Sequence, residues 1–163
     1  VRSRRQRQMC IRDSPNGAYA AVIPKWIASM INGDDVFING NGETSRDFCY
    51  INNVVQANLI SATINRIDLD NGDSNDAVNQ IYNIAVGGRT TLNELYKILK
   101  ESLSSHFPHL KDAEPIYRDF RKGDVLHSQA NIAKARTKLG YEPSYNANEG
   151  LKEAMDWYIQ NRK

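Results

Sequence analysis

Hydrophobic residues recur at helical spacing in five stretches of the chain. The apolar positions are Ile23, Trp26, Ile27, Met30 and Ile31; Val55, Leu59 and Ala62; Leu92, Leu95, Tyr96, Leu99 and Leu103; Ile132, Ala135 and Leu139; and Leu151, Ala154, Met155, Tyr158 and Ile159. Intervals of three and four residues place such side chains on one face of a helix. The pattern therefore predicts five helices, each packed by one face against the rest of the molecule.

Short apolar runs between these stretches predict strands. The runs are VFING at 36–40, DFCYI at 47–51, QIYNIAV at 80–86 and EPIYRDF at 114–120. The run at 80–86 is mostly apolar and is predicted to be a buried strand, and two glycines end it. Because strands and helices alternate along the chain, the sequence predicts an α/β fold.

Polar residues at the predicted helix starts have the spacing of capping motifs. Thr91 with Glu94, and Asn146 with Glu149, stand three residues apart as in a capping box. Asn131 is predicted to cap the short fourth helix, and Asn52 or Asn53 the second.

Composition and charge restrict the class of protein. The chain has 163 residues, of which 40% are hydrophobic and 25% charged, as in one domain with a real core. No apolar run reaches membrane-spanning length, so no membrane partner is expected. Two cysteines do not make a disulfide framework, which favours a reducing, cytoplasmic location.

The basic residues are concentrated at the start of the chain. Five arginines lie in residues 1–14, and the remainder has 16 of the 21 basic residues against 18 of the 19 acidic ones, a balance of −2. We interpret 1–14 as a disordered or non-native basic arm, with a nucleic-acid-binding arm as the alternative. The body carries no basic stripe with interleaved aromatic residues, so no nucleic-acid partner is expected.

The triplet Arg-Asp-Phe occurs twice, at 46–48 and 118–120. Arg46 follows the turn NGNGETS, and Arg121 follows the second triplet within FRKGD. Two guanidinium forks on neighbouring strand-end loops suit a diphosphate. The alternative is that each arginine pairs with an adjacent aspartate. Spacing alone leaves both interpretations open, and it indicates neither a metal site nor a nucleophile–base pair.

Long stretches resemble one known family. They are NGAYAAVIPKWIASMINGDDVFINGNGETSRDFCYINNVVQANL, QIYNIAVGGRTTLNEL, YRDFRKGDVLHSQANIAKARTKLGYEP and GLKEAMDWY. Together they are similar to the UDP-N-acetylglucosamine 4-epimerases, which are extended short-chain dehydrogenase/reductases. The resemblance implies that residues 15–163 form the C-terminal, nucleotide-sugar-binding part of such an epimerase, including late elements of its Rossmann fold.

The resemblance also implies an activity and a set of site residues. Such enzymes oxidise the sugar at C4 with bound NAD and return hydride to the opposite face, interconverting UDP-GlcNAc and UDP-GalNAc, and the full-length protein is expected to be a cytoplasmic homodimer. The implied substrate-binding residues are Arg46 and Arg121 for the diphosphate, Asp124 for the ribose, Ser128 for the N-acetyl side, and Ala21 and Val22, with Lys25 less directly, for the uridine and sugar.

Departures from the family pattern limit what this chain is expected to do. No segment matches the family's GxxGxxG loop for NAD or the segment that carries its catalytic Tyr-x-x-x-Lys pair. The letters YKILK at 96–100 have that spacing, but Tyr96 belongs to the apolar face of the predicted third helix. We therefore expect no catalytic and no cofactor-binding residue here, and no turnover by this chain alone. Residues 1–14 do not match the family, and the polar stretch near 66–79 is predicted to be a surface insertion.

Two alternatives remain at this stage. One is a non-catalytic module that binds a nucleotide-sugar or a partner and uses the basic arm for nucleic acid. The other lies within the same class, as a UDP-glucose or UDP-glucuronate 4-epimerase or a decarboxylase.

Overall fold

The computed structural model describes residues 21–64, 77–121 and 123–161. The predictions for the basic arm at 1–14 and for most of the insertion near 66–79 lie outside these residues. No helix in the described ranges is long and apolar enough to cross a membrane.

All five predicted helices are confirmed. They are α1 at Val22–Asn32, α2 at Ile51–Thr63, α3 at Leu92–Ser104, α4 at Ala133–Leu139 and α5 at Ala147–Gln160. A short 3₁₀ helix at Pro108–Asp112 follows α3. The capping boxes of Thr91 with Glu94 and of Asn146 with Glu149 are both formed, so local polar chemistry sets where α3 and α5 begin.

In the ranges that the structure describes, four short strands form two small sheets. Strands β1 at Phe37–Asn39 and β4 at Ile116–Arg118 pair in parallel, with Ile38 opposite Tyr117. Strands β2 at Ser45–Arg46 and β3 at Thr90–Thr91 pair antiparallel, and Ser45 also bridges in parallel to His127. The predicted strands at 36–40 and 114–120 are thus confirmed over their central residues.

Two strand predictions are wrong. The second strand is Ser45–Arg46 and ends before the predicted 47–51 run, because Asp47 uses its side chain to bind other backbone segments. The run at 80–86 forms no strand among the described residues, and Ile81 is 80% exposed. A strand needs a neighbour for its N–H and C=O groups, and no described segment pairs with this run.

The core consists of two clusters. The first cluster joins α1, β1, α3 and α5, and its fully buried members include Ile27, Ile38 and Leu99. The second cluster is smaller and rich in alanine, and it packs α2 against α4 and Tyr141. In the segment from β2 to α2, Phe48 packs against the first cluster, whereas Asp47 binds backbone amides beside the second.

Helix α2 packs by a different face from the predicted one. Val55 and Leu59 are 47% and 61% exposed, whereas Asn53 and Ala57 are buried. The Asn53 side chain does not cap the helix, whose N-cap is Tyr50. Instead its oxygen accepts from Ser144 N and Tyr145 N, and its amide donates to Tyr145 O at 2.8 Å. These hydrogen bonds satisfy the buried amide and bind α2 to the loop before α5.

The predicted cap of α4 is displaced by one residue. Ile132 is the N-cap, and the side chain of Asn131 accepts a hydrogen bond from Ala133 N at 2.9 Å. Asn131 therefore supports the start of the helix from the position before the cap.

Candidate ligand-binding site

Ser45 fixes the middle of the loop that carries two of the predicted site residues. Its backbone N–H donates to Leu126 O at 2.8 Å, and its carbonyl accepts from Ser128 N at 3.1 Å. Its hydroxyl lies 2.9 Å from Nδ1 of His127. Because Ser45 is buried, this contact gives Ser128 a fixed position beside β2. His127 therefore has a structural partner within this loop.

Arg46 binds the first part of the same loop. Its Nη1 donates to Val125 O at 2.7 Å and to its own neighbour's carbonyl, Ser45 O, at 2.9 Å. Its Nη2 lies 3.8 Å from the Asp124 carboxylate, and both side chains remain about one-third exposed to solvent. The structure therefore brings Arg46 beside Asp124, and Ser45 holds Ser128 on the same loop. An exposed pair of this kind adds little stability, so Nη2 can exchange Asp124 for another acceptor while Nη1 stays bound to Val125 O and Ser45 O.

Asp47 holds the end of the loop. Its Oδ2 accepts from Gly87 N at 3.0 Å and Ala130 N at 3.2 Å, and its Oδ1 accepts from Val86 N at 3.2 Å. The alternative that Arg46 pairs with Asp47 is wrong, because this carboxylate is directed at three backbone amides. Ser45, Arg46 and Asp47 together thus bind residues 124–130, which we call the substrate loop, along its length.

Arg121 begins the turn that leads into the substrate loop. Asp124 N donates to Arg121 O at 3.1 Å, which closes the turn. The Arg121 side chain is exposed and lines an open depression with Asn39, Tyr117, Arg118 and Asp119. Arg121 is therefore connected to Asp124 by a single turn, on the same loop that Arg46 contacts.

Arg118 has a different role from its counterpart Arg46 in the first triplet. Its guanidinium carbon lies 3.2 Å from the centroid of the Phe37 ring, in a cation–π contact across the β1–β4 pair. The two triplets are therefore not equivalent. The first supplies its own arginine to the substrate loop, whereas the second precedes the exposed Arg121.

Ala21 and Val22 lie on another element. Ala21 is the exposed N-cap of α1, and Val22 packs against the first cluster. Lys25 is exposed in the same helix. Their participation in ligand binding stays a prediction.

Cys49 and Tyr141 are not poised for proton transfer. Burial raises the pKa of the Cys49 thiol, so it stays protonated at neutral pH. Burial and the neighbouring Cys49 raise the pKa of Tyr141 to about 12. The Tyr141 hydroxyl donates to Ala85 O at 2.9 Å, which gives it a structural role. No cluster of metal-ligating side chains occurs within the described ranges.

A separate cleft of about 480 Å³ lies between Phe48, α3 and the start of α5. Its charged side chains have both signs, and Lys97 pairs with Glu101. The cleft contains none of the predicted site residues and does not single out an anionic ligand.

Sequence reasoning missed the roles of Ser45 and Asp47 in building the site. Nothing in the spacing of Asp47 points to Val86 or Ala130, which are 39 and 83 positions away. No sequence signal identifies this role, because the second triplet has the same letters at the end of β4 and its Asp119 is exposed.

Comparison with known proteins identifies relatives of the chain. The family model described as GDP-mannose 4,6 dehydratase matches residues 12–154. The UDP-glucose 4-epimerase of Thermotoga maritima, solved with UDP-glucose, is 36% identical over 92% of this chain and 42% of that chain, with a TM-score of 0.72. The UDP-N-acetylglucosamine 4-epimerase of Methanobrevibacter ruminantium, solved with UDP-N-acetylmuramic acid, is 34% identical over 90% and 42%, with a TM-score of 0.72. A third structure, MoeE5 with UDP-glucuronic acid and NAD, is 26% identical over 90% and 44%, with a TM-score of 0.67.

These similarities define the class of the protein. The chain has the α/β fold of the Rossmann-type extended short-chain dehydrogenase/reductases. It belongs to the GDP-mannose 4,6 dehydratase family, with UDP-sugar 4-epimerases among its relatives. It spans 42% of the length of the first two solved relatives.

Proposed function

We propose that this chain is the UDP-sugar-binding part of an NAD-dependent UDP-N-acetylglucosamine 4-epimerase. The observation that carries the proposal is the contact of Ser45, Arg46 and Asp47 with the substrate loop. This contact places Arg46, Asp124 and Ser128 together, one turn away from Arg121. The N-acetylated substrate is supported by the 34% identical relative whose name specifies UDP-N-acetylglucosamine.

Each of these residues has a chemical role that fits a UDP-sugar. Arg46 and Arg121 present planar forks that match diphosphate oxygens. The Asp124 carboxylate accepts hydrogen bonds, as a ribose hydroxyl requires, and the Ser128 hydroxyl can donate to the carbonyl of an N-acetyl group. In the substrate complex, binding of the diphosphate by Arg46 would replace its weak contact with Asp124, which lies 3.8 Å away.

NAD would supply hydride transfer in the complete enzyme, as its presence in the MoeE5 structure supports. The described residues do not fit a role in holding it. A dinucleotide site needs a glycine-rich loop that opens a helix, whereas the glycines after β1 lead into strand β2. We therefore assign no NAD contact to these residues and derive no hydride step from them.

Two substrates of the same class are the alternatives. The 36% identical relative was solved with UDP-glucose and the 26% identical one with UDP-glucuronic acid. All three share the UDP group, so the diphosphate contacts of Arg46 and Arg121 are common to them. The choice between acetylated and plain sugars then depends on Ser128 and its surroundings.

The proposal is tested by titrating the chain with UDP and UDP-GlcNAc in a calorimeter. We expect the Arg121→Ala variant to bind UDP at least tenfold more weakly than the wild type, since it loses a charge-assisted bidentate contact. Arg121→Lys should recover only part of this affinity, because lysine lacks the fork.

Arg136→Ala is the matched control. Arg136 is an exposed arginine on α4 that pairs with Glu142 at 3.2 Å, so its removal should leave UDP affinity unchanged. Equal UDP affinity of wild type and Arg121→Ala would contradict the diphosphate role, and an absence of binding by the wild type would contradict the proposed function as a whole.

A further inference from the structure

Asn93 connects the two segments that lead to the candidate arginines. It is the second residue of α3, and its backbone N–H donates to Gly42 O at 3.1 Å. Its side-chain amide donates to Asn41 O at 3.1 Å and to Oε1 of Glu43 at 2.9 Å. Its side-chain oxygen accepts from the Tyr117 hydroxyl at 3.0 Å. One side chain therefore binds the turn after β1 and the middle of β4.

Each of the two bound segments lies only a few residues before one of the arginines in the sequence. The turn at 41–43 runs directly into β2, which contains Arg46. Tyr117 lies four positions before Arg121 and lines the same open depression. A shift of the turn relative to β4 would therefore change the separation of the two guanidinium groups.

The backbone of the turn is shaped around Asn93. Gly42 has a φ of +79°, and a Cβ atom there would lie 1.9 Å from the side-chain oxygen of Asn93. Only glycine permits this approach without displacing the amide. The close packing makes the position of the turn depend on Asn93 in particular.

Helix α3 has other interactions that keep it folded without this side chain. The capping box of Thr91 and Glu94 satisfies its first N–H groups, and Leu95, Leu99 and Leu103 are fully buried in the first cluster. The Asn93 side chain donates two hydrogen bonds to the turn and accepts one from β4, and none of these three lies within its own helix.

We propose that Asn93 is a positioning residue that sets the separation of Arg46 and Arg121, so that both can bind one diphosphate. This inference rests on the proposed function. It predicts that the Asn93 side chain contributes to UDP affinity without touching the ligand, through the relative placement of the two arginines.

The experiment compares UDP affinity by calorimetry, and thermal unfolding by circular dichroism, among single and double variants of the whole chain. Asn93→Ala should weaken UDP binding by about tenfold, as misplacement of a binding group by a fraction of an ångström does. Tyr117→Phe removes one hydroxyl and should weaken it less. The two effects should not add, since both changes break the same hydrogen bond.

Asn148→Ala is the matched control. Asn148 also occupies the second position of a helix behind a capping box, in α5, and it is exposed. Its replacement should leave UDP affinity at the wild-type value, which separates the role of Asn93 from a general effect of asparagine at a helix start.

The Arg121→Ala background distinguishes positioning from a general loss of structure. With one arginine removed, there is no separation left to set, so adding Asn93→Ala should change affinity by less than about twofold. An equal loss in both backgrounds would overturn the inference, as would wild-type affinity of Asn93→Ala when Arg121→Ala is impaired. If the wild type itself fails to bind UDP, the proposed function has failed and the inference with it.

A variant that keeps the volume of the side chain guards against misfolding. Asn93→Asp retains the acceptor for Tyr117 but loses the amide donors and faces the Glu43 carboxylate. It should bind UDP more weakly than the wild type while its melting temperature exceeds that of Asn93→Ala. If Asn93→Ala does not fold, wild-type affinity of both Asn93→Asp and Tyr117→Phe overturns the inference.

Discussion

Single residues of the Arg-Asp-Phe triplets show how identical letters acquire different functions. Arg46 contacts the substrate loop, whereas Arg118 stacks on Phe37. Asp47 binds three backbone amides, whereas Asp119 is exposed. The difference is imposed by tertiary neighbours, which spacing along the sequence does not reveal.

Removing the charge of Asp47 should destabilise the protein. Asp47→Asn keeps one acceptor oxygen and directs an NH₂ group at the remaining backbone N–H donors, so we expect the free energy of unfolding to fall by about 2 kcal/mol. Urea denaturation followed by circular dichroism measures the change.

Asp119→Asn is the control for this prediction, because it makes the same substitution at the equivalent position of the second triplet. Its side chain is exposed, so the free energy of unfolding should stay within about 0.5 kcal/mol of the wild type. Equal effects of the two substitutions would contradict the clamping role of Asp47.

Tyr141 should make the stability depend on pH in the alkaline range. Its pKa is raised to about 12 in the folded protein, mainly by burial, from about 10 in the unfolded chain. The folded state therefore holds this proton more tightly. Its contribution is fully present below pH 10 and is lost as the pH rises from about 10 to 12, by about 2 to 3 kcal/mol.

Unfolding in urea at pH 9, 10 and 11 measures this dependence. Tyr141→Phe should lower stability at pH 9, because the hydrogen bond to Ala85 O is lost, yet show a shallower decline above pH 10. Parallel declines in the two proteins would show that other groups cause the pH dependence.

For each helix, whether the buried face could be predicted from the sequence depends on where its packing partner lies. The stripe of α3 was predicted correctly because its partners, the first cluster, are contained in the described chain. The face of α2 was predicted wrongly, because Asn53 and Ala57 pack inward and the branched side chains point outward. Periodicity identifies an amphipathic helix but does not say which neighbour each face meets.

This contrast predicts that substitutions at two leucines lower the free energy of unfolding by different amounts. Leu99 in α3 is fully buried, so Leu99→Ala should lower the free energy of unfolding by about 2 to 5 kcal/mol through lost burial and a cavity. Leu59 in α2 is 61% exposed, so Leu59→Glu should change it by less than about 0.5 kcal/mol. Chemical denaturation of both variants measures the difference, and a large cost at Leu59 would mean that its face is covered in solution.

The strands illustrate the same dependence on neighbours. The central residues of the β1 and β4 runs were predicted because these two segments pair with each other. The run at 80–86 has the composition of a buried strand, but the described residues offer it no partner. The composition of this segment favours a strand, but a strand also needs a pairing partner, which the described residues do not provide.

At the scale of the whole molecule, the resemblance indicated candidate residues that lie near one another, and their ligand-binding roles stay a prediction. The resemblance named Arg46, Asp124 and Ser128, and the structure brings them together. The residues that hold them, Ser45, Asp47 and Asn93, were not identified as such, because they act through contacts between distant parts of the chain. The NAD dependence, the homodimer and the choice of sugar stay predictions of the proposed function.

The position of Asp47 between the two clusters has a consequence for the timing of local opening. Its carboxylate binds amides adjacent to the second cluster, while β2 is paired to the strand that leads into the first. The alanine-rich second cluster buries less apolar surface, so it should open more often than the first. The rates of amide hydrogen exchange at Gly87 and Ala130 should then report how often the substrate loop opens, and a bound nucleotide should lower these rates.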